Sequence, residues 1–174
     1  MRRTTTIFII LSTLIISILW YGLTIPADYT ASRSQHFDIA PAKLWNTLVS
    51  FDKYAEWREN VYAIKVLSDN ESYGAWKEID GEGNTSPYRI VKHETDKLLV
   101  IETIKELDSR DKSWTFELLS DEDNKGVTLS ITEHGEIDDL LPRVIAHFFT
   151  GHYLNTDAYL RSITNKIAVD IKNI

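Results

Sequence analysis

Hydrophobic positions along this chain follow three regimes: an unbroken block at the N-terminus, mostly alternating spacing through the middle, and helical spacing toward the end. The block IFIILSTLIISILWYGLTI runs from Ile7 to Ile25, 19 residues without a charge, with Arg2 and Arg3 before it and Pro26 after it. As a helix it would measure roughly 28 Å at about 1.5 Å per residue, close to the hydrocarbon thickness of a bilayer. Arginines before the block and Asp28 after it predict a cytoplasmic N-terminus, with the rest of the chain across the cytoplasmic membrane. Trp20 and Tyr21 fall near the far end, where amphipathic rings settle at headgroup level. The rival reading is a cleaved signal peptide, whose apolar core is shorter, about 7–15 residues, and ends at a small-residue cleavage site. The best site here, Ile25-Pro26-Ala27, carries a proline beside the cut and a bulky residue before it. Both readings place the remaining chain outside the cytoplasm, anchored in one case and secreted in the other. The expected division is a transmembrane anchor over 1–26, a polar linker over 27–33 and one domain over 34–174.

Within that domain, Gln35 to Ile39 is a short strand-like run closed by Ala40-Pro41, and Pro41 sits where a helix can start because its missing N–H would be unpaired anyway. Leu44, Trp45, Leu48 and Val49 then recur at helical spacing, followed by a short turn carrying Phe51, Tyr54 and Trp57. Six strands follow: Ala63–Leu67, Tyr73–Ile79, Tyr88–His93, Leu98–Lys105, Ser113–Leu119 and Val127–Glu133. The clusters between them are turn-formers, Ser68–Asn70, Gly81–Asn84, Glu94–Asp96, Asp108–Asp111 and Asp121–Gly126, so neighbouring strands should pair antiparallel. Trp114, Phe116 and Leu118 share one face, as do Val127, Leu129, Ile131 and Glu133. From Asp138 the spacing turns helical, with Pro142 in the first turn and Gly151 as an interruption. Leu160, Ile163, Ile167 and Ile171 then mark the buried stripe of a long terminal helix.

Composition narrows the chemistry. There is no cysteine, which excludes disulfides, thiol nucleophiles and Cys-ligated metals. The net charge is −7, against a nucleic-acid partner, which needs a concentrated basic face. The 19 basic and 26 acidic residues become 17 and 25 once Arg2, Arg3 and Asp28 are set aside, so residues beyond 30 carry a net −8. An anionic lipid surface would repel such a domain, and attachment falls to the apolar block.

The run HFDIAPAKLWNTLVSFDKYAEWRENV, His36 to Val61, resembles the opening of the polyketide cyclase/dehydratase and lipid-transport proteins of the START-like, or SRPBCC, superfamily. The matching positions are Ala40, Pro41, Leu44, Trp45, Phe51, Asp52, Tyr54 and Trp57, and ITEHGEIDDLLPRVIAHFF resembles the family's last strand and entry to its terminal helix. The resemblance implies an α+β helix-grip fold: a curved sheet of about seven antiparallel strands around a long C-terminal helix, enclosing a cavity. It also implies a hydrophobic small-molecule ligand, as members bind lipids, sterols, polyketides, quinones or hormones, and a minority catalyse cyclisation or hydrolysis.

Such a cavity needs apolar walls and a few orienting polar groups. Candidates for the walls are Trp76, Tyr88, Trp114, Phe116, Phe148, Phe149 and Tyr153; for the polar groups, Arg89, His93, Glu102, Glu106, Glu133 and His147. Alternation puts the Glu133 carboxylate on the face of Val127, Leu129 and Ile131, where burial could make it an acid, a base or an anchor; the plain alternative is a solvated strand end. His147 and His152 lie five apart, which does not place two imidazoles on one helix face, and HExxH, GxSxG and GxGxxG are all absent. No cofactor or metal is expected. The leading expectation is a membrane-anchored, extracytoplasmic binding module for a lipid or isoprenoid-like molecule. The alternatives are a cyclase, dehydratase or hydrolase using Glu133 and an envelope interaction domain without a ligand. Nothing in the sequence reads as a dimerisation motif.

Overall fold

A computed structural model of the protein describes residues 2–67, 73–104 and 112–172. Its strands are β1 (Asp28–Phe37), β2 (Ala63–Leu67), β3 (Ala75–Ile79), β4 (Thr85–Glu94), β5 (Leu98–Thr103), β6 (Ser113–Ser120) and β7 (Val127–Glu136). All seven form one antiparallel sheet in the order β1-β7-β6-β5-β4-β3-β2, so the first strand closes against the last. The helices are α1 (Arg2–Gly22), α2 (Pro41–Val49), α3 (Leu140–Ile145) and α4 (Leu154–Lys172), with a 3-10 turn over Phe51–Glu56 and a π-helical turn over Ala146–Thr150. This is the α+β helix-grip architecture, with α4 lying across the inner face of the sheet. Among the described residues, α1 is the one helix long and apolar enough to cross a membrane, over Thr4–Gly22 with a mean hydropathy of 1.9.

The pattern of side chains explains the packing. Phe116 and Leu118 on β6 and Val127, Leu129 and Ile131 on β7 are buried, as alternation requires. α2 starts with Pro41 in its first turn and buries Leu44, Trp45 and Leu48. From α4, Leu160, Ile163 and Ile167 join the same core, whereas Ile171 is 57% exposed because the last helical turn extends past the buried row. At the Gly81–Asn84 connection the Asp80 carboxylate accepts the N–H groups of Glu82 and Asn84, both at 2.9 Å, and Gly83 takes φ +85°. The expected turns at Ser68–Asn70 and Asp108–Asp111 lie outside the described residues.

Strand β1 begins at Asp28, so residues 28–33, expected as part of a polar linker, are paired sheet from Asp28↔Glu136 to Phe37↔Val127. The strand is hidden in the sequence because its helix-facing positions are not all apolar. Arg33 donates to Asp157 at 3.0 Å and Gln35 to Thr164 at 3.0 Å, both on α4. Polar contacts with the helix take the place of the alternating hydrophobic residues that mark the other strands. Strands β4 and β7 also run further than their apolar residues suggest, because Thr85 and Ser86 pair with Ile79 and Glu78, and His134 to Glu136 pair with β1.

Removing buried volume on α4 separates its two kinds of isoleucine. Ile163→Ala should lower stability by about 2–5 kcal/mol and Ile171→Ala by less than about 0.5 kcal/mol, measured by denaturant unfolding. Equal losses would contradict this helix orientation.

Candidate functional site

Between α4 and the inner face of β3–β6 lies a cavity of about 630 Å³. Trp76, Tyr88, Ile101, Trp114, Phe116 and Tyr159 supply its apolar walls, and Arg58, Glu59, Asn60, Lys112 and Asn155 are among its polar lining. The aromatic rings form a chain of contacts: Phe51 stacks on Trp76 at 4.6 Å, Trp76 lies 5.7 Å from Tyr88, and Tyr88 meets Trp114 edge-on at 5.7 Å. From the helix side, Tyr159 rests on Phe116 at 5.0 Å. Thr85 and Ser86 at the start of β4, Thr103 at the end of β5 and Lys112 just before β6 put much of the lining at one end of the sheet. Antiparallel pairing brings the start of β1 and the end of β7 to that same end. Only Leu23–Ala27 separate β1 from α1.

One wall is a buried charge pair. Arg58 Nη1 donates to Glu78 Oε1, and Trp76 Nε1 donates to the same oxygen at 3.2 Å. The Arg58 guanidinium lies 4.3 Å above the Tyr159 ring and 5.2 Å from that of Tyr54. Burial pushes the Glu78 carboxyl above its ordinary value, against the pull of Arg58. Burial likewise raises the phenol of Tyr54 well above the usual range, raises Tyr159, and pushes Tyr88 up to about 12. These hydroxyls therefore stay protonated at neutral pH and act as donors. Tyr54 spends its proton on Leu48 O at 2.5 Å, and the buried Tyr159 hydroxyl beside it is left without a well-formed hydrogen bond among the described residues.

Glu133 is fully buried, on the face alternation gives it, opposite Trp114 on one side and Ala31 on the other. Its Oε1 accepts from the Tyr29 hydroxyl at 2.6 Å and from Asn155 Nδ2 at 2.9 Å, with Lys112 Nζ at 3.9 Å. Its Oε2 is buried without a hydrogen bond among the described residues. Gly135 makes this possible: a Cβ there would stand 2.7 Å from the Tyr29 hydroxyl, so only glycine lets the ring lie across β7. Glu133 thus joins β1, β7 and α4 and orients Asn155 and Lys112, which line the cavity while Glu133 itself stands behind them.

Of the residues singled out from sequence, Trp76, Tyr88, Trp114 and Phe116 come together in the cavity wall. Arg89 and Glu102 do not: they face each other across β4 and β5 on the outer side of the sheet, with Arg89 Nε 2.7 Å from Glu102 Oε1. A more open depression of about 680 Å³ on that side includes both of them and His134. His93 packs against Trp45 and Tyr73, Tyr153 lies under the Arg33 guanidinium, and His147 and Phe148 contact Tyr21 of α1. Glu106 and the Phe149 side chain lie outside the described residues. Sequence reasoning misses Arg58, Glu78, Lys112, Asn155 and Tyr159. For Glu78 a signal exists, since it follows Trp76 by two residues in β3 and so shares its buried face. Among the described residues no group of three His, Asp or Glu side chains could hold a metal ion.

No known family's sequence profile matches the chain, and no curated protein matches it in sequence. Solved structures do share its fold. A START superfamily protein from Mycobacterium smegmatis superposes with a TM-score of 0.62 at 8% identity, over 80% of this chain and 97% of that one. The Zhui aromatase/cyclase from Streptomyces sp. R1128 gives 0.60 at 12% identity, over 80% and 93%. Norcoclaurine synthase from Thalictrum flavum gives 0.61 at 7% identity, over 85% and 91%. At such identities the likeness establishes the START-like fold and nothing about ligand or reaction.

The Arg58–Glu78 pair generates two expectations. Arg58→Met, which strands a buried carboxylate, should cost about 3–5 kcal/mol, and adding Glu78→Gln should recover much of that loss in denaturant unfolding. The folded protein also holds the Glu78 proton more tightly than the unfolded chain. Its contribution is complete below the ordinary glutamate range and is lost as pH rises through the raised value. Stability of the native sequence should therefore fall over that window more steeply than stability of Glu78→Gln. Identical slopes would show that Glu78 ionises as a free glutamate does.

Proposed function

We propose that this START-like domain is a binding module for a hydrophobic small molecule, lipid or isoprenoid-like, held by α1 at the outer face of the cytoplasmic membrane. The cavity carries the reading. Its volume of about 630 Å³ falls within the ~300–1,000 Å³ typical of small-molecule sites. Its walls suit a molecule with an extended apolar body and one polar end: rings on both sheet and helix surround the body, while Lys112 and Asn155 offer donors to the end. The lining is more polar than a simple lipid slot, which favours an amphipathic ligand over a hydrocarbon.

The tether supports the same reading. An apolar α1 joined by five residues to β1 keeps the domain near molecules dissolved in the bilayer and raises their effective concentration at the cavity. Acid–base catalysis by Glu133 draws no support from the geometry, because the carboxylate lies behind Asn155 and Lys112 with Oε1 already engaged. The carboxylate at the cavity wall, Glu78, is engaged by Arg58 and Trp76, which favours recognition over proton transfer.

Protein extracted from membranes in mild detergent should carry a stoichiometric lipid or isoprenoid, identified by mass spectrometry of its organic extract. Ala158→Phe, which projects a ring from α4 into the cavity, should abolish that co-extraction while leaving the fold intact by circular dichroism. An extract with no bound small molecule, together with unfolding temperatures that do not respond to fatty acids, isoprenoid alcohols or quinones, would defeat the reading.

A further inference from the structure

We infer that the cavity takes a single-chain amphiphile with an anionic oxygen head, a carboxylate or a phosphate, and that the Lys112 ammonium is the anchor for that head. The inference deepens the reading of this cavity as a small-molecule site and rests on it. Among the described residues, four charged side chains line the cavity: Arg58, Glu59, Glu78 and Lys112. Arg58 and Glu78 are bonded to each other, and Glu59, 44% exposed, faces Arg161 at 3.8 Å. Lys112 is in a different position. Its Nζ makes no hydrogen bond among the described residues. The nearest carboxylate oxygen, Glu133 Oε1 at 3.9 Å, is already taken by Tyr29 and Asn155. A lysine ammonium carries three donors and no acceptor, so the group missing at this end of the cavity is an acceptor.

Lys112 is held in place for this task. The Thr103 N–H donates to Lys112 O at 2.9 Å and the Lys112 N–H donates to Thr103 Oγ1 at 3.1 Å, which pins the residue at the end of the β5–β6 pair. Lys112 also borders the outer depression, but the Glu133 carboxylate it approaches is buried on the inner face. Trp114 and Phe116 follow it at two-residue steps along the cavity wall. A chain anchored at Lys112 therefore runs over both rings for roughly 13 Å, at about 3.3 Å per residue. The volume of about 630 Å³ holds roughly 20 non-hydrogen groups if each takes ~30 Å³, the share of one liquid water. That is room for one acyl or isoprenoid chain and too little for a two-chain phospholipid. Glu133 keeps Lys112 charged without rejecting an anion. It stands behind Nζ, so an oxyanion on the cavity side lies about 3 Å from the ammonium and about twice as far from Glu133, and attraction exceeds repulsion roughly twofold. The net −8 of the domain acts at long range and is screened beyond about 8 Å at physiological ionic strength, whereas Lys112 acts at contact.

The test uses full-length protein in phosphatidylcholine nanodiscs, loaded with cis-parinaric acid or its methyl ester. Energy transfer from Trp76 and Trp114 in the cavity wall reports occupancy, and Ala158→Phe, with the cavity blocked, gives the signal of probe dissolved in the bilayer. The bound probe is then displaced by palmitate, hexadecyl phosphate, hexadecanol or hexadecylamine at a pH that ionises both acids. At least one of the two acids should act at about tenfold lower concentration than hexadecanol, the worth of one hydrogen bond to a charged group, and the stronger of them identifies the head. Lys112→Met should abolish that gap and leave the potency of hexadecanol unchanged, whereas Lys112→Arg should keep most of it. Equal potencies for acids and alcohol, or hexadecylamine acting at the lowest concentration, would overturn the inference and leave the binding module standing. A Lys112→Met variant that weakens all four competitors alike would make Lys112 a structural residue, which also overturns it. If neither probe exceeds the Ala158→Phe signal, the cavity admits no such molecule, and the reading of the site fails together with this inference.

Discussion

How α4 is held against the sheet decides the rest of the domain. Along one edge it is stitched by polar contacts: Arg33 to Asp157, Gln35 to Thr164, and Glu133 to Asn155. On the other side Tyr159 stands between the helix and Phe116, beside Tyr54 and Trp57, and keeps the helix away from β3–β5. A helix drawn close on one edge and propped by a ring on the other leaves a wedge of space. That wedge is the cavity, and its walls are the aromatic groups that do the propping.

The same arrangement accounts for where charge is buried. Holding Glu133 and Glu78 out of water costs several kcal/mol per ion unless partners compensate. Each carboxylate is met by donors: Glu133 by Tyr29 of β1 and Asn155 of α4, Glu78 by Arg58 after the 3-10 turn and by Trp76 of its own strand. Contacts of this kind specify geometry more than they add stability. They set the strand-to-helix spacing and leave Lys112 and Asn155 as the groups a ligand's polar end would meet.

Much of this is legible in the sequence, and the failures have physical reasons. Strands β6 and β7 are buried on one face along most of their length, so their alternation is plain and places Glu133 correctly. Strand β1 faces α4 with Arg33 and Gln35, so its first half reads as a linker. Arg89, a candidate orienting group in the sequence, alternates with Tyr88 along β4 and so turns to the outer face, toward Glu102. Arg58 and Glu78 are 20 residues apart and meet only when the 3-10 turn packs on β3, a tertiary contact that no local pattern announces.

A binding role turns on occupancy of the wedge between α4 and the sheet. The most direct measurement is photo-crosslinking of a diazirine-bearing fatty acid to the full-length protein in membranes, with adducts mapped by peptide mass spectrometry. Adducts should concentrate on the segments carrying Tyr88, Trp114 and Tyr159. Adducts confined to α1 and the outer surface, with none on those three segments, would contradict that role.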